Sequence, residues 1–390
     1  MDNSDIYLEG RRQKADGSRG RGDNAFVAVC AIYLVVLLSF VLLRIVSGLG
    51  GFDKLDNRFS DVLFSILSQI VIMFLIPVVG FTIYLKKSKK KEPQGSMTFA
   101  QFAQKQERGE QLNQTVLQSW GFKKPSARII GYAILLGILL YFFNVFVGSF
   151  ANGILGMFGY RFPSGGGETA FTGVVGLLIG LVLIAVLPGI CEETAHRGLL
   201  LRGFASRIGL MKAVMFSSII FGLMHLNIVQ CIYAAVLGYI MALAVLATRN
   251  IWTAVIMHFM NNAIGVYFSY ASTNGWLGGN ILNGLMGFFE SLGFFYFIAY
   301  ILLFVGVYMA LMAIIQKFAR ENYIKDHTKT EGGPPPIPAR LKGGAAVKFY
   351  LTANQPVHRE PLRPLEKTLL AGIIFLGTLI TAMTLVWGFL

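Results

Sequence analysis

Pro188-Gly189-Ile190-Cys191-Glu192-Glu193-Thr194-Ala195-His196-Arg197-Gly198 ends an apolar run that begins near Thr169. If that run crosses a bilayer, two adjacent carboxylates, an imidazole and a guanidinium lie at membrane depth. Ionisable groups there are costly, rarely face lipid, and mark functional sites by default. Two later apolar segments carry matching polar groups: His225 in one, His258 and Asn262 in the other.

The rest of the chain supports a membrane setting for this stretch. Of 390 residues, 55% are hydrophobic and only 14% charged, too apolar for a soluble domain. The pattern predicts an all-α fold, a polytopic transmembrane helical bundle of about eight to nine spans. A formal charge of +14 raises nucleic acid as a partner, but basic residues of membrane proteins collect in cytoplasmic loops, and that reading takes precedence. Cys30, Cys191 and Cys231 lie in or beside apolar segments without paired spacing, so no disulfide framework is expected and Cys191 reads as a small core residue.

In chain order, residues 1–24 read as a disordered cytoplasmic tail. Residues 25–128 hold two N-terminal spans, at 25–48 and about 61–85, and a basic loop. Each span exceeds the roughly 20 residues that cross about 30 Å of hydrocarbon. Lys86, Lys87, Lys89, Lys90 and Lys91 place the end of the second span in the cytoplasm, so the first runs from inside to outside. Residues 97–125 suit either a helix lying on the inner surface or a soluble loop. Glycines 165–167 lack the following lysine of a phosphate-binding loop and read as a turn.

The core is expected over 129–316, with spans at about 129–150, 170–190, 213–226, 229–248, 251–272 and 284–316. Residues 317–366 read as a cytoplasmic Pro/Gly-containing linker, in which the Pro-rich 332–340 segment offers either a spacer or a partner-docking site. A last span over 367–390 puts the C-terminus outside the cell membrane, opposite a cytoplasmic N-terminus.

Helix geometry sorts the charged groups. Residues four apart share a face, so Glu192 pairs with His196, and Glu193 with Arg197 on a face rotated by about 100°. A carboxylate and a guanidinium so placed neutralise each other, which makes Glu193 and Arg197 a structural pair. Glu192 has no cation at that spacing and is the better candidate for an active carboxylate. His258 and Asn262 share a face, as do Phe221 and His225. The kink expected at Pro188, which lacks a backbone donor, helps to bring these depths together.

Glu192-Glu193-x-x-x-Arg197, Phe221-x-x-x-His225 and His258-x-x-x-Asn262, in that order on separate spans, resemble the three motifs of the CAAX protease and bacteriocin-processing (CPBP, or Abi) intramembrane proteases. These include the type II prenyl endopeptidases. The resemblance covers about residues 170–270. It implies an intramembrane endopeptidase with its cavity open to the cytoplasm and a peptide or protein substrate at the lipid bilayer. Glu192 would be the general base on a water, assisted by His225, with His258 and Asn262 stabilising the oxyanion. One position departs from the pattern: the residue before the arginine, usually aromatic, is His196.

The family is often called metalloprotease, and Glu192, His225 and His258 are three possible zinc ligands, with His196 a possible fourth nitrogen. No HExxH is present, and the metal-free glutamate mechanism is the preferred expectation; His196 is expected at the helix end, facing the headgroups. Two other readings use the same groups: a catalytically silent scaffold or regulator, and a transporter relaying protons through glutamate and histidine. No internal repeat supports the transporter.

Overall fold

The computed structural model describes residues 21–52, 55–90, 116–160, 171–281, 284, 294–327, 342–353 and 361–387. The regular elements among them are helices, as the apolar runs predict. α1 spans Arg21–Gly48. α2 runs from Asn57 to Lys90, α-helical over Asn57–Ser65 and Ile76–Lys90 and π-helical over Ile66–Leu75. α3 is Ala127–Met157.

α4 runs from Gly173 to Ile208 with two π-helical stretches, Leu181–Val186 and Thr194–Leu200. α5 (Leu210–Leu223), α6 (Ile228–Thr248) and α7 (Trp252–Asn274) follow in quick succession. α8 (Phe294–His327), α9 (Gly343–Thr352) and α10 (Pro364–Trp387) complete the chain.

Seven of these helices, α1, α2, α3, α4, α6, α8 and α10, are long and apolar enough to cross a membrane. The chain is a multi-pass membrane protein. The remaining two expected spans differ in kind. α7 is 23 residues long but carries His258, Asn261 and Asn262. α5 has 14 residues, about 21 Å of rise against about 30 Å of hydrocarbon. It ends inside the bundle, and the chain reverses through His225, Leu226 and Asn227. Leu226 adopts φ 52°, a left-handed conformation rare for a branched side chain. The Asn227 side chain then accepts from the backbone N–H groups of Val229 and Gln230 and starts α6.

Lipid tails are as apolar as leucine, so packing of small residues rather than water exclusion holds such helices together. α5 lies along α6 and α7 along α3. A Cβ at Gly222 would stand 2.4 Å from the Cys231 carbonyl oxygen, and one at Gly238 would stand 3.1 Å from the Phe221 ring. Gly222 is required for α5 to approach α6 this closely, and Gly238 sits in a tight contact with the Phe221 ring. α1 buries Phe26, Val29, Cys30, Tyr33, Val36, Leu37 and Phe40, a stripe with the three- and four-residue steps of one helix face. That stripe packs on α2, α4 and α10.

Two segments differ from their expected bounds. The core does not stop at 316, because α8 continues to His327. The 317–366 segment is not linker throughout. Ala346, Val347 and Tyr350 of α9 are buried, and Tyr323 of α8 packs on Phe349 and Tyr350. The span expected at 25–48 is found as Ala25–Gly48, within a helix that starts at Arg21. The tail over 1–20, the glycine turn at 165–167, the Pro-rich 332–340 segment and most of 97–125 lie outside the described residues; Val116–Ser119 form one helical turn.

Candidate active site

The π-helical stretches organise the site. Such segments break the regular side-chain register and are frequent at functional positions. Gln69 lies in the π stretch of α2, Ile184 in the first of α4, and His196 and Arg197 in the second.

Glu193 is fully buried and its Oε1 accepts two hydrogen bonds, from Arg197 Nη1 (2.9 Å) and from His258 Nδ1 (2.9 Å). Arg197, equally buried, also donates through Nη2 to the Gly238 carbonyl (3.1 Å) and stacks its guanidinium on the Phe221 ring at 4.5 Å. A buried carboxylate and guanidinium survive desolvation only with such additional partners. The pair therefore does more than end a helix: it ties α4 to α6 and α7.

Glu192 has different surroundings. Its carboxylate is partly exposed and accepts from Gln69 Nε2 at 3.0 Å. Among the described residues no cation lies within ion-pair distance of it. It is close enough to interact electrostatically with His225 and with Arg44 of α1.

His225 donates from Nδ1 to the Phe221 carbonyl (2.9 Å). A carbonyl only accepts, so in the neutral ring Nε2 carries the lone pair. Phe221 separates the imidazoles: its ring lies edge-on to His196, His225 and His258 at centroid distances of 4.8, 5.1 and 5.8 Å. The second motif thus contributes a spacer as well as a histidine.

His196 departs from its expected place. It is 1% exposed rather than facing headgroups. Its Nδ1 is 2.7 Å from the Glu192 carbonyl and its Nε2 is 2.7 Å from the Tyr33 hydroxyl. Both nitrogens are engaged, which removes it as a ligand and makes it the link between α1 and the turn carrying Glu192.

Asn262 is held at both ends of its amide. Oδ1 accepts from Asn261 Nδ2 (2.9 Å), and Nδ2 donates to the Ile184 carbonyl (2.8 Å). Pro188 explains that acceptor: it has no N–H for the carbonyl four residues earlier, which is that of Ile184. Asn144 of α3 extends the chain of amides by donating to Asn261 Oδ1 at 3.3 Å.

Zinc is the group that the family name implies. Among the described residues no three His, Cys, Asp or Glu side chains come together as a metal-binding group. His196 has no free nitrogen, and Glu192 meets an amide. Glu192, His225 and His258 are not brought together as a three-ligand group among the described residues.

Motif reading reached Glu192, Glu193, His196, Arg197, His225, His258 and Asn262, and missed Gln69, Tyr33, Asn261 and Asn144. Gln69 and Asn144 left a signal, each being an isolated amide in an apolar run. Tyr33 left none.

No curated protein and no solved structure matches the chain. Residues 174–264, a stretch that contains all three motifs, match the family model described as type II CAAX prenyl endopeptidase Rce1-like.

Proposed function

We propose that the chain is an intramembrane endopeptidase that hydrolyses a peptide bond in a membrane-associated or lipidated peptide, using a water activated by Glu192. One observation carries this reading: of the two adjacent carboxylates, Glu193 is consumed by Arg197 and His258, whereas Glu192 is partly exposed and holds only an amide hydrogen bond. A general base must be reached by water, and of the two only Glu192 is partly exposed.

In this mechanism Glu192 removes a proton from water as its oxygen attacks the scissile carbonyl carbon. The lone pair on His225 Nε2 faces the same proton traffic. The carbonyl oxygen becomes an oxyanion, for which preorganised donors are worth about 3 kcal/mol each. Asn262 keeps one N–H beyond the bond to Ile184. His258, with Nδ1 on the Glu193 carboxylate, can donate from Nε2 when its ring carries both protons; Glu193 balances that charge. The proton held by Glu192 then passes to the leaving amine as the carbon–nitrogen bond breaks.

The topology that goes with this reading is a cytoplasmic N-terminus and a site reached from the cytoplasmic leaflet, on the basic block that ends α2. The test is Glu192→Gln in reconstituted protein, assayed on S-prenyl peptides and by comparing fragment termini in cells. Loss of cleavage with an unchanged melting curve supports the protease. Unchanged fragments with a retained partner-dependent phenotype would instead favour a scaffold, and loss of solute flux a transporter.

A further inference from the structure

α2 lies outside the 174–264 match, yet it supplies the group that meets the candidate base. Gln69 sits in the π-helical stretch Ile66–Leu75, which packs against the Leu187–Glu193 part of α4. Ser68, Ile72 and Met73 around it are buried, so the amide lies on the inward side of the helix. A polar side chain at this depth is expensive and is kept for a partner.

The two ends of that amide differ. Nε2 donates to Glu192 Oε1 at 3.0 Å. The amide oxygen, Gln69 Oε1, is buried and has no hydrogen-bond partner among the described residues. Turning the amide over would aim this oxygen at the carboxylate, where acceptor meets acceptor. The orphaned oxygen is therefore the consequence of holding an N–H on Glu192. An apolar side chain of similar length would fill the same place with no unsatisfied atom, and replacements of that kind are often neutral or stabilising. Packing gives no reason for an amide here; the contact with Glu192 does.

That contact also gives the two carboxylate oxygens different roles. Oε1 is occupied by an N–H, so a proton arriving there would have to displace the bond. A proton on Oε2 leaves Oε1 an acceptor, and the bond to Gln69 then holds in both protonation states of Glu192. Among the described residues no hydrogen bond or ion pair engages Oε2.

We propose that Gln69 is a positioning residue for the general base: it anchors Glu192 through Oε1 and confines the proton taken from water to Oε2. This rests on the reading of Glu192 as the base. The proton leaves the water oxygen for Oε2 as that oxygen attacks the scissile carbon, and it passes from Oε2 to the nitrogen of the leaving amine. Gln69 gives up no proton; it keeps the carboxyl group in one plane through both transfers.

The experiment compares the native full chain in nanodiscs with Gln69→Met, which keeps the length and removes the donor, and with Gln69→Leu. Three quantities are measured: cleavage of an internally quenched S-farnesyl peptide, the melting temperature, and the infrared carboxyl band that Glu192→Gln removes. The expected result is a kcat lower by about tenfold, a fraction of the roughly 10²–10⁴-fold that a positioned base contributes, with KM within about twofold of native. The melting temperature stays level or rises, because the variants bury one orphaned oxygen fewer. The carboxyl band shifts in both variants, since Oε1 has lost its donor. A kcat that holds, or one that falls only together with the melting temperature, overturns the proposal and leaves Gln69 a packing residue. An unshifted carboxyl band overturns it as well, and that band is read without turnover. If the native chain cleaves nothing while the band shifts, the reading of Glu192 as the base fails and the Gln69 anchor alone stands.

Discussion

Pro188 and Asn262 are joined through one atom, the Ile184 carbonyl oxygen: the proline has no N–H to give it, and the asparagine amide fills the vacancy at 2.8 Å. The residue that weakens α4 thereby fixes the orientation of an amide on α7. Oδ1 of Asn262 faces Asn261, so the second N–H of Nδ2 is left for a ligand.

Pro188→Ala is therefore expected to separate stability from activity. Alanine restores a backbone donor and removes a helix-interior penalty of about 3 kcal/mol, so the melting temperature rises. The Ile184 carbonyl then has a backbone partner and Asn262 is released, at a cost of about tenfold or more in kcat with little change in KM. Melting curves and steady-state cleavage on the same preparation check both halves; a variant that is more stable and equally active would break the link.

The two neighbouring glutamates are expected to fail in opposite ways. Glu192→Gln keeps an acceptor for Gln69 and abolishes turnover without unfolding. Glu193→Gln leaves the Arg197 guanidinium, 1% exposed, without its carboxylate, and stranding a buried charge costs about 3–5 kcal/mol. Thermal unfolding in detergent should show a clear loss for Glu193→Gln and almost none for Glu192→Gln. Arg197→Met combined with Glu193→Leu should recover much of the stability but not the activity, because His258 loses its Nδ1 acceptor.

Metal dependence offers a third test. With His196 closed off by Tyr33 and the Glu192 carbonyl, and no three-ligand group among the described residues, purified protein should contain far less than one zinc per chain. Cleavage should survive chelator treatment within about twofold, whereas a true zinc enzyme loses turnover in proportion to metal removed. Elemental analysis alongside activity decides it; an activity-linked, stoichiometric metal would sink the metal-free mechanism.

How much of this was visible in the sequence follows from which interactions are local. Glu193 with Arg197 lies within one helical turn, so spacing alone found the pair. His225, His258 and Asn262 were found because motifs repeat a local geometry on separate helices. What spacing could not reach were contacts set by packing between distant segments, such as Gln69 on Glu192, 123 residues apart, and Tyr33 on His196, 163 apart. The misplacement of His196 has the same cause: a histidine near a charged helix end is expected in water, and only the arrival of α1 buries it. Within 317–366 the short helix α9 did not stand out because it buries only Ala346, Val347 and Tyr350, too few apolar positions in a polar stretch.

The C-terminal helix is tied to the core by a charge pair that motif reading did not suggest. Arg207, near the end of α4, donates to Glu366 at the start of α10 through Nε (3.0 Å) and Nη2 (2.9 Å), and also to the Pro361 carbonyl (2.9 Å). Glu366 is fully buried and further accepts from the Arg363 backbone N–H at 2.7 Å. A carboxylate in a first helical turn is favourable, so Glu366 both starts α10 and docks it. Glu366→Gln should then cost about 3–5 kcal/mol of unfolding free energy, since the arginine keeps its burial and loses its counter-charge. Arg207→Met with Glu366→Leu should restore most of that loss, because neither side chain is left with an unpaired charge. The activity of the double variant tells whether α10 matters to the site: α10 packs on α1 and α5, whose residues Tyr33 and Phe221 contact His196 and Arg197. If docking alone is required, the double variant cleaves at nearly the native rate while Glu366→Gln does not.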